Sequence, residues 1–186
     1  MKKQNKKCTL KGSKTEKNLM EAFAGESQAR NKYTYFASQA KKDGYVTISK
    51  VFEETAGNEK EHAKLWFKLL HGGKIPSTTE NLVAAAAGEH GEWTSMYKRM
   101  AAEARKEGFN DIAFLFDGVA KIESFHEKRY LELLKKVKTK KMFKSESKQQ
   151  WFCQNCGCII ESNHAPEKCP VCSHPKSYFK IYKKEF

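Results

Sequence analysis

The sequence lacks any long apolar run: nowhere do the roughly 18 uncharged residues that a membrane-spanning helix requires occur together. The basic stretch 1–17 is not followed by a hydrophobic segment, so we expect no secretory signal. No pattern typical of a helix-turn-helix or an RNA-binding sheet is present, so we expect no specific binding to nucleic acid. These absences predict a protein that has no membrane association and works in the cytoplasm.

Cysteine is rare outside one short stretch. Five of the six cysteines lie within residues 153–172, at spacings typical of metal ligands, while Cys8 is alone in the amino-terminal tail. Such clustering favours metal binding over disulfides and predicts a reducing compartment. We interpret Cys8 as an incidental thiol.

Negative charge is scarce at the ends of the chain. The formal net charge is +13, yet residues 21–134 carry 16 basic and 17 acidic residues. The excess lies in residues 1–20, 135–148 and 176–186, which hold seven, seven and four lysines against one glutamate each. We interpret these runs as solvated segments; the alternative is a docking surface for an acidic protein partner or weak contact with polyanions.

Helical periodicity and its loss predict the domain organisation. We expect a flexible basic arm over residues 1–14, four long helices over 15–137, a Lys-rich linker over 138–150 and a metal-stapled domain over 151–186. Thr15 or Ser13 can cap the first helix, Ser77-x-x-Glu80 offers a capping box for the third, and Asn110 or Asp111 can cap the fourth.

Two of the predicted helices carry a Glu-x-x-His pair on their apolar face. Glu59 and His62 lie on a stripe that runs from Ile48 to Leu69, and Glu123 and His126 lie on a similar stripe. Because residues three apart share one face of a helix, each pair can reach a single ion. A bare carboxylate on an inward face is unfavourable unless it is paired or binds a metal.

The chain is internally duplicated, which brings in two further helices. Ala24-Gly25-Glu26 recurs as Ala87-Gly88-Glu89, Lys42-Asp43-Gly44-Tyr45 as Lys106-Glu107-Gly108-Phe109, and Glu59 as Glu123, at offsets of 63, 64 and 64 residues. Each half is therefore predicted to be one helical hairpin. At a rise of about 1.5 Å per residue, each of the four glutamates lies roughly 23 to 28 Å along its helix from the hairpin turn. The four side chains are therefore predicted to lie at nearly the same level of the bundle. One Glu from each of two helices plus Glu-x-x-His from the other two is typical of ferritin-like di-iron sites.

The cysteines form two Cys-x-x-Cys knuckles. They pair Cys153 with Cys156 and Cys169 with Cys172, which predicts a tetrahedral four-thiolate site for iron or zinc. Cys158 is a surplus thiol that we interpret as a bystander.

Both halves of the sequence resemble the rubrerythrin family. The resemblance lies in FAGESQARNKYTYF at 23–36, ETAGNEKEHAK at 54–64, AAGEHGEW at 86–93, ESFHEKRY at 123–130 and the cysteine segments at 151–160 and 165–176. It implies a mainly α protein: a ferritin-like antiparallel four-helix bundle followed by a small rubredoxin-like β/loop domain. Three features depart from the family pattern and put local packing in doubt: Gly91, Trp93 and the absence of a glycine from the loop 161–164.

The resemblance also implies a role for each residue of a di-iron centre. Glu59 and Glu123 would bridge the irons, Glu26 would complete one iron, and Glu89 and His126 would complete the other. Glu92 and His62 would exchange on the first iron, with Tyr33 and Tyr97 hydrogen-bonding around the site. Cys153, Cys156, Cys169 and Cys172 would hold a rubredoxin-type iron.

The implied activity is reduction of hydrogen peroxide to water in oxidative-stress defence. Electrons would pass through the four-thiolate iron from a donor protein, either a rubredoxin or an NAD(P)H-dependent reductase, and the protein would be a homodimer. One alternative is a ferritin-like ferroxidase or oxidase in iron handling, although iron storage gives no reason for an attached electron-delivery domain. The other is a non-enzymatic protein with a zinc ribbon and nucleic-acid-clamping tails.

Overall fold

The computed structural model describes residues 9–182. The chain divides into two compact units, one ending at Pro76 and the other beginning at Ser77. Over the described range the structure is mainly helical, and the only sheet there is small, antiparallel and close to the carboxyl end. This confirms the predicted fold class. None of the helices within 9–182 combines the length and apolarity needed to cross a bilayer. Cys8 and the outer parts of the basic tails lie outside the described residues.

The first unit is a hairpin of α1 (Lys14–Lys42) and α2 (Val46–Leu70). Small residues lie where the two helices are closest: Ala37, Ala56 and Ala63 are all buried. Aromatic side chains fill the wider parts of the seam, with Phe23 against Phe67 at 5.7 Å and Phe36 against Phe52 at 5.6 Å between ring centroids. The small residues bring the helices close enough for side chains of α1 and α2 to share one site.

The second unit begins with a second helical hairpin. Helix α3 (Thr78–Gly91) runs through one π-helical turn (Glu92–Met96) into α4 (Tyr97–Lys106), and α5 (Asn110–Lys138) returns antiparallel to them. Ala101, Ala104 and Ala113 form a buried cluster at the closed end of this hairpin. Small side chains thus set the helix spacing here as well.

Both hairpins turn through the same device. Gly44 and Gly108 have φ of 85° and 90°, a left-handed conformation that glycine adopts without strain. The residue after each glycine donates its backbone N–H to the helix that has just ended, Tyr45 to Ala40 and Phe109 to Ala104, both at 2.8 Å. The duplicated sequence therefore produces duplicated helix ends.

A three-stranded antiparallel sheet organises the end of the described chain. Its order is β2 (Ile159–His164), β1 (Lys144–Cys153) and β3 (Phe179–Ile181), with a short 3₁₀ turn at Lys176–Tyr178. Trp151, Cys153 and Cys169 are buried in its core together with Ala165 and Phe179. Two of the four candidate ligand cysteines, Cys153 and Cys169, are therefore part of the core of this small domain, whereas Cys156 is exposed.

Two boundaries differ from the sequence prediction. Helix α5 ends at Lys138, but β1 already begins at Lys144, so the second half of the predicted linker 138–150 belongs to the sheet. The pairing is irregular between Lys144 and Gln149, which hides the strand from a search for alternation. Helix α5 has Phe109 at its N-cap position, so the prediction that Asn110 or Asp111 caps this helix is wrong. Ser13 caps α1, as predicted.

The capping box predicted at Ser77 is present. The Ser77 hydroxyl accepts the backbone N–H of Glu80, and the Glu80 carboxylate accepts the backbone N–H of Ser77 at 2.8 Å. Since each side chain satisfies an otherwise unpaired amide of the first helical turn, both stabilise α3.

We expect Ser77→Ala to lower the free energy of unfolding of the helical part by about 1 kcal/mol, because the first turn of α3 loses its cap. Ser77→Thr retains a hydroxyl and serves as the matched control. Thr78→Ala is a second control, because it changes the next residue, which is not part of the capping box. Chemical denaturation followed by far-ultraviolet circular dichroism measures the effect. Equal stability of Ser77→Ala and Ser77→Thr would show that the cap contributes nothing.

Candidate metal centres

The first unit brings Glu26, Glu59 and His62 together on the facing sides of α1 and α2. One ligand atom from each lies within 4.8 Å of the others. His62 Nδ1 is 2.9 Å from Glu59 Oε2 and 3.8 Å from Glu26 Oε2. A hydrogen bond to Glu59, partial burial and the charge of Glu59 raise the pKa of Glu26, and the same hydrogen bond together with His62 lowers the pKa of Glu59. The two carboxylates thus lie side by side, where a cation between them would relieve their repulsion.

The second unit repeats this triad with Glu89, Glu123 and His126. Their ligand atoms also lie within 4.8 Å of one another. His126 Nδ1 is 2.6 Å from Glu123 Oε2 and 3.8 Å from Glu89 Oε1. Burial raises the pKa of Glu89, and its hydrogen bond to Glu123 adds to this effect. The two hairpins therefore hold carboxylate–carboxylate–imidazole sets of nearly the same geometry.

All six side chains of the triads are partly buried, not fully enclosed. The carboxylates of Glu59 and Glu123 are 17% and 14% exposed, whereas the imidazoles of His62 and His126 are 50% and 35% exposed. Each hairpin thus shelters its acids and leaves its histidine more open. Two carboxylates and an imidazole around one point are a suitable donor set for iron.

Glu92 stands outside the second triad but beside it. It is the first residue of the π-helical turn, and its charge raises the pKa of both Glu89 and Tyr97. A π-turn places one extra residue in a helix without breaking it, and such turns are frequent at functional sites. The extra residue explains why Glu89 precedes Gly108 by 19 residues while Glu26 precedes Gly44 by only 18.

Tyr97 lies close to the second triad. Burial raises the pKa of its hydroxyl, and the charges of Glu92, Glu123 and Glu89 raise it further, so Tyr97 keeps its proton at neutral pH. Tyr33, its equivalent in the duplication, packs against Phe36 and Phe52 in the first hairpin. Tyr97 packs against Phe116, the equivalent of Phe52, with 6.0 Å between ring centroids, so this aromatic contact is duplicated as well.

Sequence reasoning missed the role of Glu127. This carboxylate accepts the Trp93 indole N–H at 2.5 Å and lies 3.0 Å from His90 Nδ1. The hydrogen bond from Trp93, followed by that from His90, lowers the pKa of Glu127. The first half has Ala63 at the equivalent position, so Glu127 is a feature of the second half that fastens the π-turn to α5. The difference between Ala63 and Glu127 at equivalent positions of the two repeats is the feature of the sequence that could have indicated this role.

The four cysteines of the two knuckles converge at one point of the second unit. Their sulfurs lie within 4.8 Å of one another, with Cys153 Sγ 3.7 Å from Cys172 Sγ and Cys156 Sγ 3.7 Å from Cys169 Sγ. Metal–sulfur bonds of about 2.3 Å in a tetrahedron require sulfurs about 3.8 Å apart. The site therefore fits a four-coordinate iron or zinc ion without rearrangement.

Backbone amides prepare the sulfurs for a cation. The N–H of His174 lowers the pKa of Cys172 to about 6, and the N–H groups of Cys172 and Val171 lower that of Cys169. Cys156 also accepts the amide of Cys158, but the neighbouring thiols outweigh this bond and raise its pKa to about 12. Thiolates rather than thiols bind metals, so the N–H groups favour the bound form.

The knuckles are copies of one another. Gly157 and Ser173 follow the second cysteine of each knuckle, with φ of 78° and 61°. Cys158 and His174 then accept the backbone N–H of Cys153 and Cys169, both at 2.8 Å. Cys158 therefore occupies a structural position of the knuckle, and burial followed by the charge of Cys169 raises the pKa of its thiol.

The chain is similar to known proteins over most of its length. The family model described as Rubrerythrin matches residues 17–134 and 80–154, and that of the rubrerythrin rubredoxin-like domain matches residues 151–180. The rubrerythrin of Nitratidesulfovibrio vulgaris is 50% identical over 184 residues, covering 93% of this chain and 96% of that protein. The rubrerythrin of Porphyromonas gingivalis is 51% identical over 189 residues, covering 96% and 94%. A solved structure of mixed-valence nigerythrin is 31% identical and covers 98% of this chain and 92% of that one, with a TM-score of 0.34.

We expect Cys169→Ser to abolish stable iron binding at the four-thiolate site, because a ligand sulfur in its core is lost. Cys158→Ser removes a sulfur from the same core without removing one of the four and is the matched control. Iron content and the visible sulfur-to-iron absorption of the purified full-length proteins measure the result. Loss of the absorption in Cys158→Ser with its retention in Cys169→Ser would reverse the ligand assignment.

Proposed function

The chain belongs to the rubrerythrin family, and from this premise we propose that it is a non-haem di-iron peroxidase that reduces hydrogen peroxide to water. Family membership makes it a di-iron oxidoreductase of oxidative-stress defence. The observation that carries the finer proposal is the presence, in one chain, of two matching Glu–Glu–His triads and a four-thiolate site.

We place the two triads around one pair of irons. Glu26, Glu59 and His62 would hold one iron and Glu89, Glu123 and His126 the other, with Glu59 and Glu123 as bridges. The equal heights of the four glutamates above their turns support this arrangement. A pair of ions bridged by carboxylates also removes the like-charge repulsion within each triad.

Exposed apolar residues support a further partner for each hairpin. Ile48 and Leu69, at the ends of the stripe that carries Glu59, are 48% and 49% exposed, and Ile112 on the corresponding stripe of α5 is 46% exposed. Burial of such side chains is favourable at about 25 cal/mol per Å² of apolar surface. Such exposed stripes favour association with a second copy of the chain, which supports the proposed homodimer.

Bound as a ferrous pair, iron supplies the two electrons that split the O–O bond of peroxide, and two protons complete two molecules of water. The chain supplies groups suited to both states of the site. Carboxylates favour the harder ferric ion, whereas the imidazoles of His62 and His126 suit ferrous iron. Glu92 is the ligand in excess, and we propose that it exchanges with His62 when the oxidation state changes. Tyr97 retains its proton and can donate a hydrogen bond beside Glu89.

The four-thiolate site would relay electrons, one at a time, to the di-iron centre. A four-thiolate iron whose sulfurs accept backbone N–H groups would carry one electron at a time. The electrons would come from a donor protein, a rubredoxin or an NAD(P)H-dependent reductase, in a reducing cytoplasm. The lysines near the end of α5 offer an acidic donor a surface of opposite charge.

We expect peroxide to oxidise the fully reduced protein faster than oxygen does, by roughly tenfold or more, because a site tuned for peroxide cleavage stabilises that transition state selectively. Anaerobic stopped-flow mixing, followed at the four-thiolate absorption, measures both rates. A protein loaded with zinc at the triads is the control. Equal rates with peroxide and oxygen would favour the ferroxidase or oxidase alternative.

Glu92→Ala is expected to keep two irons in the helical part and to slow peroxide turnover by roughly ten- to hundredfold, as loss of a supporting ligand does. Glu53→Ala removes an exposed carboxylate of α2 and is the control. Iron analysis and steady-state turnover test both parts. Unchanged turnover at full iron content would refute the proposed exchange.

A further inference from the structure

Trp66 carries a polar group that the proposed mechanism leaves unused. It lies on α2 four residues after His62, on the face that also carries Glu59. Its indole Nε1 is buried, and within residues 9–182 no group forms a hydrogen bond with it. Buried N–H groups in native proteins nearly always have a partner, so this exception calls for an acceptor.

The acceptor within reach is the carboxylate of Glu26. A hydrogen bond to Glu59, burial and the charge of Glu59 raise the pKa of Glu26, while the Trp66 indole acts in the opposite direction and lowers it. The Trp66 indole is therefore close enough to act on the Glu26 carboxylate, although it forms no hydrogen bond with it in the structure. A carboxylate that binds a cation through one oxygen has a second oxygen with which it can accept the indole N–H.

The second hairpin has no such donor at the equivalent place. The 64-residue offset that relates Glu59 to Glu123 relates Trp66 to Tyr130. The groups that shift the pKa of Glu89 are Glu123, His126 and Glu92, and Tyr130 is not among them. The two triads match in their candidate ligands but differ in the aromatic residue one helical turn beyond the histidine, which is Trp66 in the first and Tyr130 in the second.

We propose that Trp66 is a positioning residue of the first metal site: its indole N–H donates a hydrogen bond to Glu26 when that carboxylate binds a divalent cation, and holds it beside Glu59 and His62. This inference rests on the proposed metal-binding role of the triads. Trp66 thereby strengthens cation binding in the first hairpin only. Groups that orient a metal-binding carboxylate in this way typically change metal affinity by roughly ten- to hundredfold.

Trp66→Phe tests the proposal because it keeps an aromatic ring and removes the N–H. Tyr130→Phe removes the polar atom from the equivalent position and is the matched control. Full-length protein, with its four-thiolate site filled by one equivalent of Zn²⁺, is titrated with Co²⁺ by calorimetry. We expect Trp66→Phe to weaken one of two Co²⁺ affinities by roughly tenfold or more and to leave the other unchanged. Tyr130→Phe is expected to leave both within about twofold of the unaltered protein, as a change that touches no ligand should.

Two outcomes separate this inference from the proposed function. If the unaltered protein binds two Co²⁺ ions and Trp66→Phe binds them with the same affinities, or with both equally weakened, the role of Trp66 is wrong and the di-iron proposal stands. If the unaltered protein binds no Co²⁺ beyond the four-thiolate site, both fall.

A second measurement needs no variant at position 66. In the ¹⁵N-labelled protein, the indole N–H signal of Trp66, assigned with Trp93→Phe and Trp151→Phe, is followed while Zn²⁺ is added. We expect it to move downfield and to become protected from solvent exchange as the first site fills. An unchanged signal at full Zn²⁺ occupancy would overturn the proposal.

Discussion

Two carboxylates held side by side repel one another unless a proton or a cation lies between them. The helical part of this protein imposes that constraint twice, at Glu26 with Glu59 and at Glu89 with Glu123. Buried alanines in each helical seam force the opposed helices close, so the acids cannot simply move apart. In the first seam, the imidazole of His62 lies 2.9 Å from Glu59 and 3.8 Å from Glu26. A metal pair satisfies the same demand more completely, which connects helix packing with redox chemistry.

The four-cysteine site differs from the triads, because its surroundings stabilise negative charge on the sulfurs. Backbone N–H groups point at the sulfurs of Cys169 and Cys172 from turns whose residues take left-handed conformations. The chain is too short here to fold on its apolar core alone, and two of the cysteines are themselves the most buried residues. Metal binding is therefore expected to stabilise the fold of this domain. A rigid site of this kind suits electron transfer.

Much of this arrangement could be predicted from periodicity and duplication. The repeated turns at Gly44 and Gly108, the cap at Ser77 and the spacing of the acids all follow from local rules, and they are local features of the structure. The one-residue difference between the repeats corresponds to the π-turn at Glu92–Met96, which the sequence analysis did not predict. The contacts of Glu127 with Trp93 and His90 join residues more than 30 apart and have no local signal. The irregular start of β1 was hidden for the same reason, since its pairing depends on a distant strand.

The central claim is that the triads of the two hairpins surround one pair of irons. X-ray absorption at the iron edge, on protein whose four-thiolate site holds zinc, tests it most directly. The account predicts an iron neighbour at about 3.5 to 4 Å from each iron, as in other two-metal sites, with oxygen and nitrogen in the first shell. Isolated irons with no such neighbour would show that each hairpin binds metal alone and would contradict the account.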